Sequence, residues 1–213
     1  MTLILAIWNK ERALIGADSR ASDKYDQHTV TDSIQKITID NKRNIAIASH
    51  GAWDFSNGNT IKMVVEDFIN NSAYNQSIDL FTREFNKMFN TKYSFMETGF
   101  IIIGPFMNKI KCYNLREGLC LDSPDDIGMS FNSDNQKQKE VIFNIYSSVF
   151  SELFNRKCDD WEFYSKLKTV DFTNLIEKTI LKASVDEEAD FNNSIGGKIN
   201  IAEITFDKAS FIN

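Results

Sequence analysis

Cysteine is scarce in this 213-residue chain, and its three copies, Cys112, Cys120 and Cys158, are an odd number without metal-ligand spacing. They read as reduced structural residues of a cytoplasmic protein, not as a disulfide framework or a metal site. Positive charge is also short: 24 Lys and Arg against 30 Asp and Glu leave a formal charge of -6, and no block of basic residues forms a stripe. A nucleic-acid partner is therefore not expected. Long apolar runs are missing too. The run Thr2 to Trp8 is far too short to span a membrane, and no basic start precedes a long apolar segment, so neither a membrane span nor a secretory leader is expected. The pair Gly196-Gly197 lacks a following Lys-Ser/Thr signature, which leaves a tight turn as the stronger reading over a phosphate loop.

What is present is a globular composition, 42% hydrophobic and 12% aromatic, of a size that suits one domain over residues 1–213. Apolar runs predict four early strands, at Thr2 to Trp8, Ala13 to Asp18, Lys36 to Asp40 and Asn44 to Ser49. Helical spacing follows at Thr60 to Ile69 and Ile78 to Phe89. Strands return at Gly99 to Ile103, Lys109 to Asn114, Leu119 to Asp122 and Asp126 to Ser130, with Arg116-Glu117-Gly118 as a hairpin turn. Apolar stripes then predict helices at Lys139 to Phe154, Asp160 to Leu167 and Phe172 to Lys182, before a last strand from Ile199 to Thr205. The aromatic stripe Phe143, Tyr146, Phe150 and Phe154 suits the core-facing side of a helix better than a contact surface.

The start of the chain carries the chemistry. Asn9-Lys10-Glu11-Arg12 is a polar turn between two apolar runs, so the first two strands fold back as a hairpin that brings Asp18 close to Thr2. If Met1 is removed, Thr2 offers a nucleophilic hydroxyl and a free α-amine that can act as its general base.

The opening TLILAIWNKERALIGADSRAS resembles the start of the proteasome β-type subunits and their bacterial relatives, where an N-terminal threonine is followed by two strands and an aspartate-serine-arginine signature. The resemblance implies an N-terminal nucleophile hydrolase, an α+β fold built as a four-layer αββα sandwich, with no cofactor and no metal. It also implies a catalytic lysine at the start of the next strand. Two placements fit: Ser33-Ile34-Gln35-Lys36-Ile37, which puts Ser33 there, and Lys36-Ile37-Thr38-Ile39-Asp40, which puts Lys36 there and leaves the insertion in the loop Asp23 to Thr31. Lys36 is preferred. Its ammonium would favour an alkoxide-like threonine, with Asp18 fixing its position.

The same resemblance assigns oxyanion donors to the turn Ser49-His50-Gly51-Ala52, with His50 at the family's glycine position and Gly51 beside it. For His50 the expected reading is a surface-loop residue contributing only its backbone N–H; the alternative is an imidazole titrating at the mouth of the site. Ser194, in the glycine-rich turn Asn193 to Ile201, matches the family's late serine. Phe191 occupies the place of the associated aspartate, with Asp190 one residue earlier. Ser130, in Gly128-Met129-Ser130, is the nearest equivalent of a further family serine, although Met129 stands at its strict position. Ala21, Ser22, Ala48 and Ala52 align with the walls of the substrate cleft, where small side chains leave room for a sizeable apolar group.

The implied function is a threonine-type peptidase acting on a peptide or unfolded-protein substrate, assembled with its own copies in a ring or spiral and served by an unfoldase. A non-catalytic subunit of the same fold is the alternative if Ser33 holds the lysine position. An amidase acting on a small non-peptide substrate is the third reading, because this N-terminal chemistry recurs with different pockets.

Overall fold

A computed structural model of the chain describes residues 2–22, 29–52, 59–94, 98–116, 119–122, 125–132, 136–186 and 195–212. The strand β1 (Ile4–Trp8) is buried along its whole length, and this accounts for its unbroken apolar sequence. Leu5 and Ile7 face one cluster of core residues, while Ile4, Ala6 and Trp8 face another. It pairs antiparallel with β2 (Arg12–Ala17), in the register Ile4 to Ala17 and Trp8 to Ala13. The connecting turn closes because the Asn9 side chain accepts from the N–H groups of Glu11 and Arg12 at 3.0 and 3.1 Å.

The remaining described elements are β3 (Ala21–Ser22), β4 (Thr29–Thr31), β5 (Ile37–Asp40), β6 (Ile45–Gly51), α1 (Ile61–Asn71), α2 (Ile78–Tyr93), β7 (Thr98–Phe106), β8 (Lys109–Arg116), β9 (Leu119–Asp122), β10 (Gly128–Phe131), α3 (Gln136–Phe154), α4 (Trp161–Tyr164), α5 (Thr169–Val185), β11 (Asn200–Thr205) and β12 (Ala209–Phe211). The chain is a mixed α+β structure whose two antiparallel five-stranded sheets run β10-β1-β2-β11-β12 and β5-β6-β7-β8-β9, with β3 and β4 forming a small separate pair.

Three buried clusters hold these elements together. Leu5, Ile7 and Leu14 of the first sheet, with Leu3 just before it, pack with Ile142, Tyr146 and Phe150 of α3 and with Phe172, Leu175 and Ile176 of α5. Ile45, Ile47, Phe100 and Ile102 of the second sheet pack with Ile61 and Val65 of α1 and Phe81, Phe85 and Phe89 of α2. The third cluster joins the sheets and is rich in alanine: Ala6, Ala13, Ala17, Ala46, Ala48, Ala202 and Ala209 lie among Ile4, Ile15, Ile101 and Ile204. Small side chains between the sheets and large ones under the helices let both interfaces close-pack. On the α2 side Phe100 meets Phe85 and Phe89 edge-on, with ring centres 4.9 and 4.8 Å apart.

The element order read from periodicity is observed, with differences that have local causes. Residues expected as a loop include β4, which pairs with β3, so six strands precede α1 among the described residues instead of the four expected. The predicted turn after Ser49 is a continuation of β6, where His50 and Gly51 pair with Gly99 and Thr98. The helix expected over Asp160 to Leu167 is one turn, α4, capped at its start by the Asp160 carboxylate accepting from Phe163 N–H. A final strand, β12, is too short to show a period; it is turned back by Thr205 N–H donating to the Lys208 carbonyl at 2.8 Å. Of the aromatic stripe on α3, Tyr146 and Phe150 are core, Phe154 packs at the margin and Phe143 is exposed. The turn read at Glu117-Gly118 lies outside the described residues.

Helix α5 approaches β2 at Gly16, where an added Cβ would stand 2.2 Å from Ile176 Cγ2. Gly16→Ala is therefore expected to lower unfolding stability by about 1–3 kcal/mol. Ile176→Leu, which has no methyl on Cβ, is expected to return part of that loss when combined with it, measured by denaturant titration. Equal stability of Gly16→Ala and the parent would contradict this packing.

Candidate active site

The β1–β2 register carries Asp18 to the beginning of β1, where its Oδ1 accepts from Leu3 N–H at 3.1 Å. Its Oδ2 accepts from Arg20 N–H at 3.1 Å, Gly196 N–H at 3.3 Å and the Lys36 ammonium at 3.0 Å. The carboxylate is surrounded only by donors, which favour its charged form against the cost of burial and reach it from separate segments of the chain.

Lys36, immediately before β5, is 6% exposed, and its Nζ also donates to the Arg20 carbonyl at 2.5 Å. Burial lowers the pKa of Lys36 below its ordinary value, and the charge of Asp18 works against that shift. Burial likewise raises Asp18, opposed by the Lys36 ammonium and the backbone donors. Each ion is costly alone in this site and tolerable beside the other. Ser33, the competing residue for the lysine position, is exposed and shares a 2.9 Å hydrogen bond with the Thr31 hydroxyl. The structure thus brings Lys36, and not Ser33, to Asp18.

A second layer of contacts fixes this pair. The Gly196 carbonyl accepts from Ser19 N–H and Arg20 N–H at 3.2 and 3.1 Å, Ser19 Oγ donates to the Asp32 carbonyl at 2.6 Å, and Ile34 N–H donates to the Ser19 carbonyl at 2.9 Å. Arg20 forks onto the Asp32 carboxylate through Nε at 2.6 Å and Nη2 at 3.1 Å, which holds Asp32 below the usual carboxylate range. Gly197 has φ +72°, and a Cβ there would lie 2.5 Å from Ser19 Oγ; one on Gly196 would lie 2.4 Å from the Arg20 guanidinium carbon. The two glycines are thus required by close backbone approach to the signature Asp18-Ser19-Arg20.

Thr2 is buried, and the residue that touches its main chain is Asn132, which the sequence reading did not single out. The Asn132 amide donates through Nδ2 to the Thr2 carbonyl and accepts through Oδ1 from Ile4 N–H. Ser130 is not brought to Thr2. It pairs with Ala6, four residues along β1 and so about 13 Å away along the strand. Its hydroxyl accepts from Asn114 Nδ2 of β8 at 3.4 Å instead. Residues 190 and 194, read as Asp190 and Ser194 of the site, lie outside the described residues.

His50 is a strand residue, 8% exposed, and not a surface-loop histidine. Its ring fills the space over Gly99 across the β6–β7 ladder, since a Cβ on Gly99 would stand 2.3 Å from His50 Nε2. Gly51, at φ +93°, ends the strand in a conformation that favours glycine. Of the residues aligned with cleft walls, Ala48 is fully buried between the sheets, Ala21 is buried in β3, Ser22 follows it in β3, and Ala52 is half-buried beyond Gly51.

No local sequence signal marks Asn132; what distinguishes it is its place directly after a strand that pairs with β1, on the side of β1 away from β2. Among the described residues, no group of His, Cys, Asp and Glu could hold a metal ion, and no helix is long and apolar enough to cross a membrane. No protein-family model and no curated protein matches this sequence.

Lys36→Met leaves the Asp18 carboxylate buried without its ammonium partner, and a loss of about 3–5 kcal/mol in unfolding stability is expected at pH 7.5. A carboxyl with a higher pKa folded than unfolded takes up a proton on folding. Without the ammonium that opposes the effect of burial, Asp18 is raised further in the variant than in the parent, so the loss should shrink as pH falls toward the ordinary 3.8 and the variant's Asp18 takes up its proton before the parent's does. Denaturant titrations across that range check this, and a loss independent of pH would contradict the pairing.

Proposed function

We propose that this chain is a threonine-type peptidase of the N-terminal nucleophile class, with the four-layer αββα sandwich of the proteasome-like fold. The observation that carries the reading is the buried Asp18–Lys36 pair, joined through Asp18 to the N–H of Leu3, the residue after Thr2. The three packed clusters support the layering: helices against the outer face of each sheet and alanine-rich packing between the inner faces.

On this reading Met1 is removed and the Thr2 hydroxyl adds to a peptide carbonyl while its proton passes to the Thr2 α-amine. The tetrahedral intermediate collapses, the C–N bond breaks, and the departing amine takes the proton from the α-ammonium. Water, activated by the same amine, then hydrolyses the threonyl ester. Lys36 favours the alkoxide-like hydroxyl by its charge, and Asp18 holds the ammonium in place. Copies of the chain in a ring or spiral belong to the same proposal. The second reading, a non-catalytic subunit of this fold, is favoured by the position of Ser130 opposite Ala6.

Intact-mass measurement and a peptide epoxyketone, which bonds to both a hydroxyl and a neighbouring amine, distinguish the two. The expected results are loss of the Met1 mass and addition of one inhibitor per chain. Thr2→Ala should abolish the adduct, and Lys36→Met should slow its formation by at least about 100-fold. Retained Met1, or Met1 removed with no adduct, would contradict the peptidase reading.

A further inference from the structure

Strand β10 ends at Phe131, opposite Leu5, so its ladder stops short of the first residues of the chain. Asn132 extends that ladder with its side chain. Its own N–H donates to the Ile4 carbonyl at 3.3 Å, its Oδ1 accepts from Ile4 N–H, and its Nδ2 donates to the Thr2 carbonyl. The residue is 5% exposed, and both of its amide atoms are used. On the other side of the same segment, Asp18 Oδ1 accepts from Leu3 N–H at 3.1 Å. Residues 2, 3 and 4 are therefore gripped alternately from β10 and from β2.

A chain terminus untied by such bonds frays, and removal of Met1 would leave Thr2 attached to the fold on one side only. Fixing its carbonyl anchors the Cα and leaves rotation about the Cα–C, N–Cα and Cα–Cβ bonds as its remaining freedom. A primary amide supplies a donor and an acceptor on two separate atoms of one short side chain, whereas an ionised Asp only accepts, Ser offers both through a single oxygen, and Ala offers neither.

We infer that Asn132 is a positioning residue for the N-terminal nucleophile, holding the Thr2 carbonyl so that hydroxyl and α-amine are presented together. This rests on the peptidase reading above. Asn132 acts through Thr2 and makes no bond to the substrate.

The test is the rate of epoxyketone addition to the Met1-free protein as a function of pH, for the parent, Asn132→Ala and Asn132→Asp, with folding of each checked by circular dichroism. Asn132→Asp keeps an acceptor for Ile4 N–H, loses the donor to Thr2, and sets a carboxylate beside the α-amine. Asp18, Lys36 and His50 are common to all three proteins. The amine must be neutral to take the proton, and its ordinary pKa is about 7.7–8.0.

Asn132→Ala is expected to react about 10- to 100-fold more slowly while folded. Asn132→Asp is expected to move the acid limb of the profile up by about 1 pH unit. Variants that lose stability but react at the parent's rate with an unmoved limb would overturn the positioning role and leave the peptidase reading standing. A parent protein that loses Met1 yet never reacts would overturn both. If Asn132→Ala does not fold, the limb of Asn132→Asp decides alone.

Discussion

A buried ammonium and a buried carboxylate, Lys36 and Asp18, constrain everything at one end of this molecule. Each ion would be costly there without the other, and a 3.0 Å contact leaves no room for a loosely defined arrangement. Satisfying the remaining lone pairs of Asp18 draws in the backbone of Leu3, Arg20 and Gly196, so the beginning of β1, the end of β2 and the turn before β11 converge on one carboxylate. The glycines at 196 and 197 and the Arg20–Asp32 fork are consequences of that convergence: the first let the backbone come close, the second closes it from the solvent side.

The scaffold supplies rigidity to this end by the way it divides side-chain volume. Between the sheets the packing is largely alanine and isoleucine, which brings two flat surfaces together. Beneath the helices it is largely phenylalanine, tyrosine, leucine and isoleucine, which fills the deeper gaps under cylinders. Strands β1 and β2 are buried on both faces, and the residues that continue them, Thr2 and Asp18, are buried in turn. A polar cluster held at the end of such strands inherits their order, and that is the condition under which a small electrostatic effect can serve catalysis.

Long apolar strands and amphipathic helices were legible from the sequence because their periods are set by burial, and Asp18 was legible because a hairpin turn at Asn9 to Arg12 determines what lies opposite the residues leading into β1. Lys36 could be preferred over Ser33 on spacing, and the geometry beside Asp18 separates them by contact. What escaped depends on partners distant in sequence. Ser130 lies near the expected position in the chain but faces β8, because strand alternation and register decide direction. Asn132 sits one residue beyond the end of a strand whose pairing with β1 no local pattern announces. His50 was read as a loop residue because a small-residue stretch resembles a turn, whereas pairing with β7 keeps it in a strand and Gly99 makes space for its ring.

The most direct measurement is a crystal structure of the protein purified from cells and treated with a peptide epoxyketone. The account requires Met1 to be absent, the inhibitor to be bonded to both the oxygen and the nitrogen of Thr2, and the Lys36 ammonium to lie between the Asp18 carboxylate and the Thr2 oxygen. An intact Met1 over an unmodified Thr2, or a Lys36 ammonium turned away from the Thr2 oxygen, would contradict it.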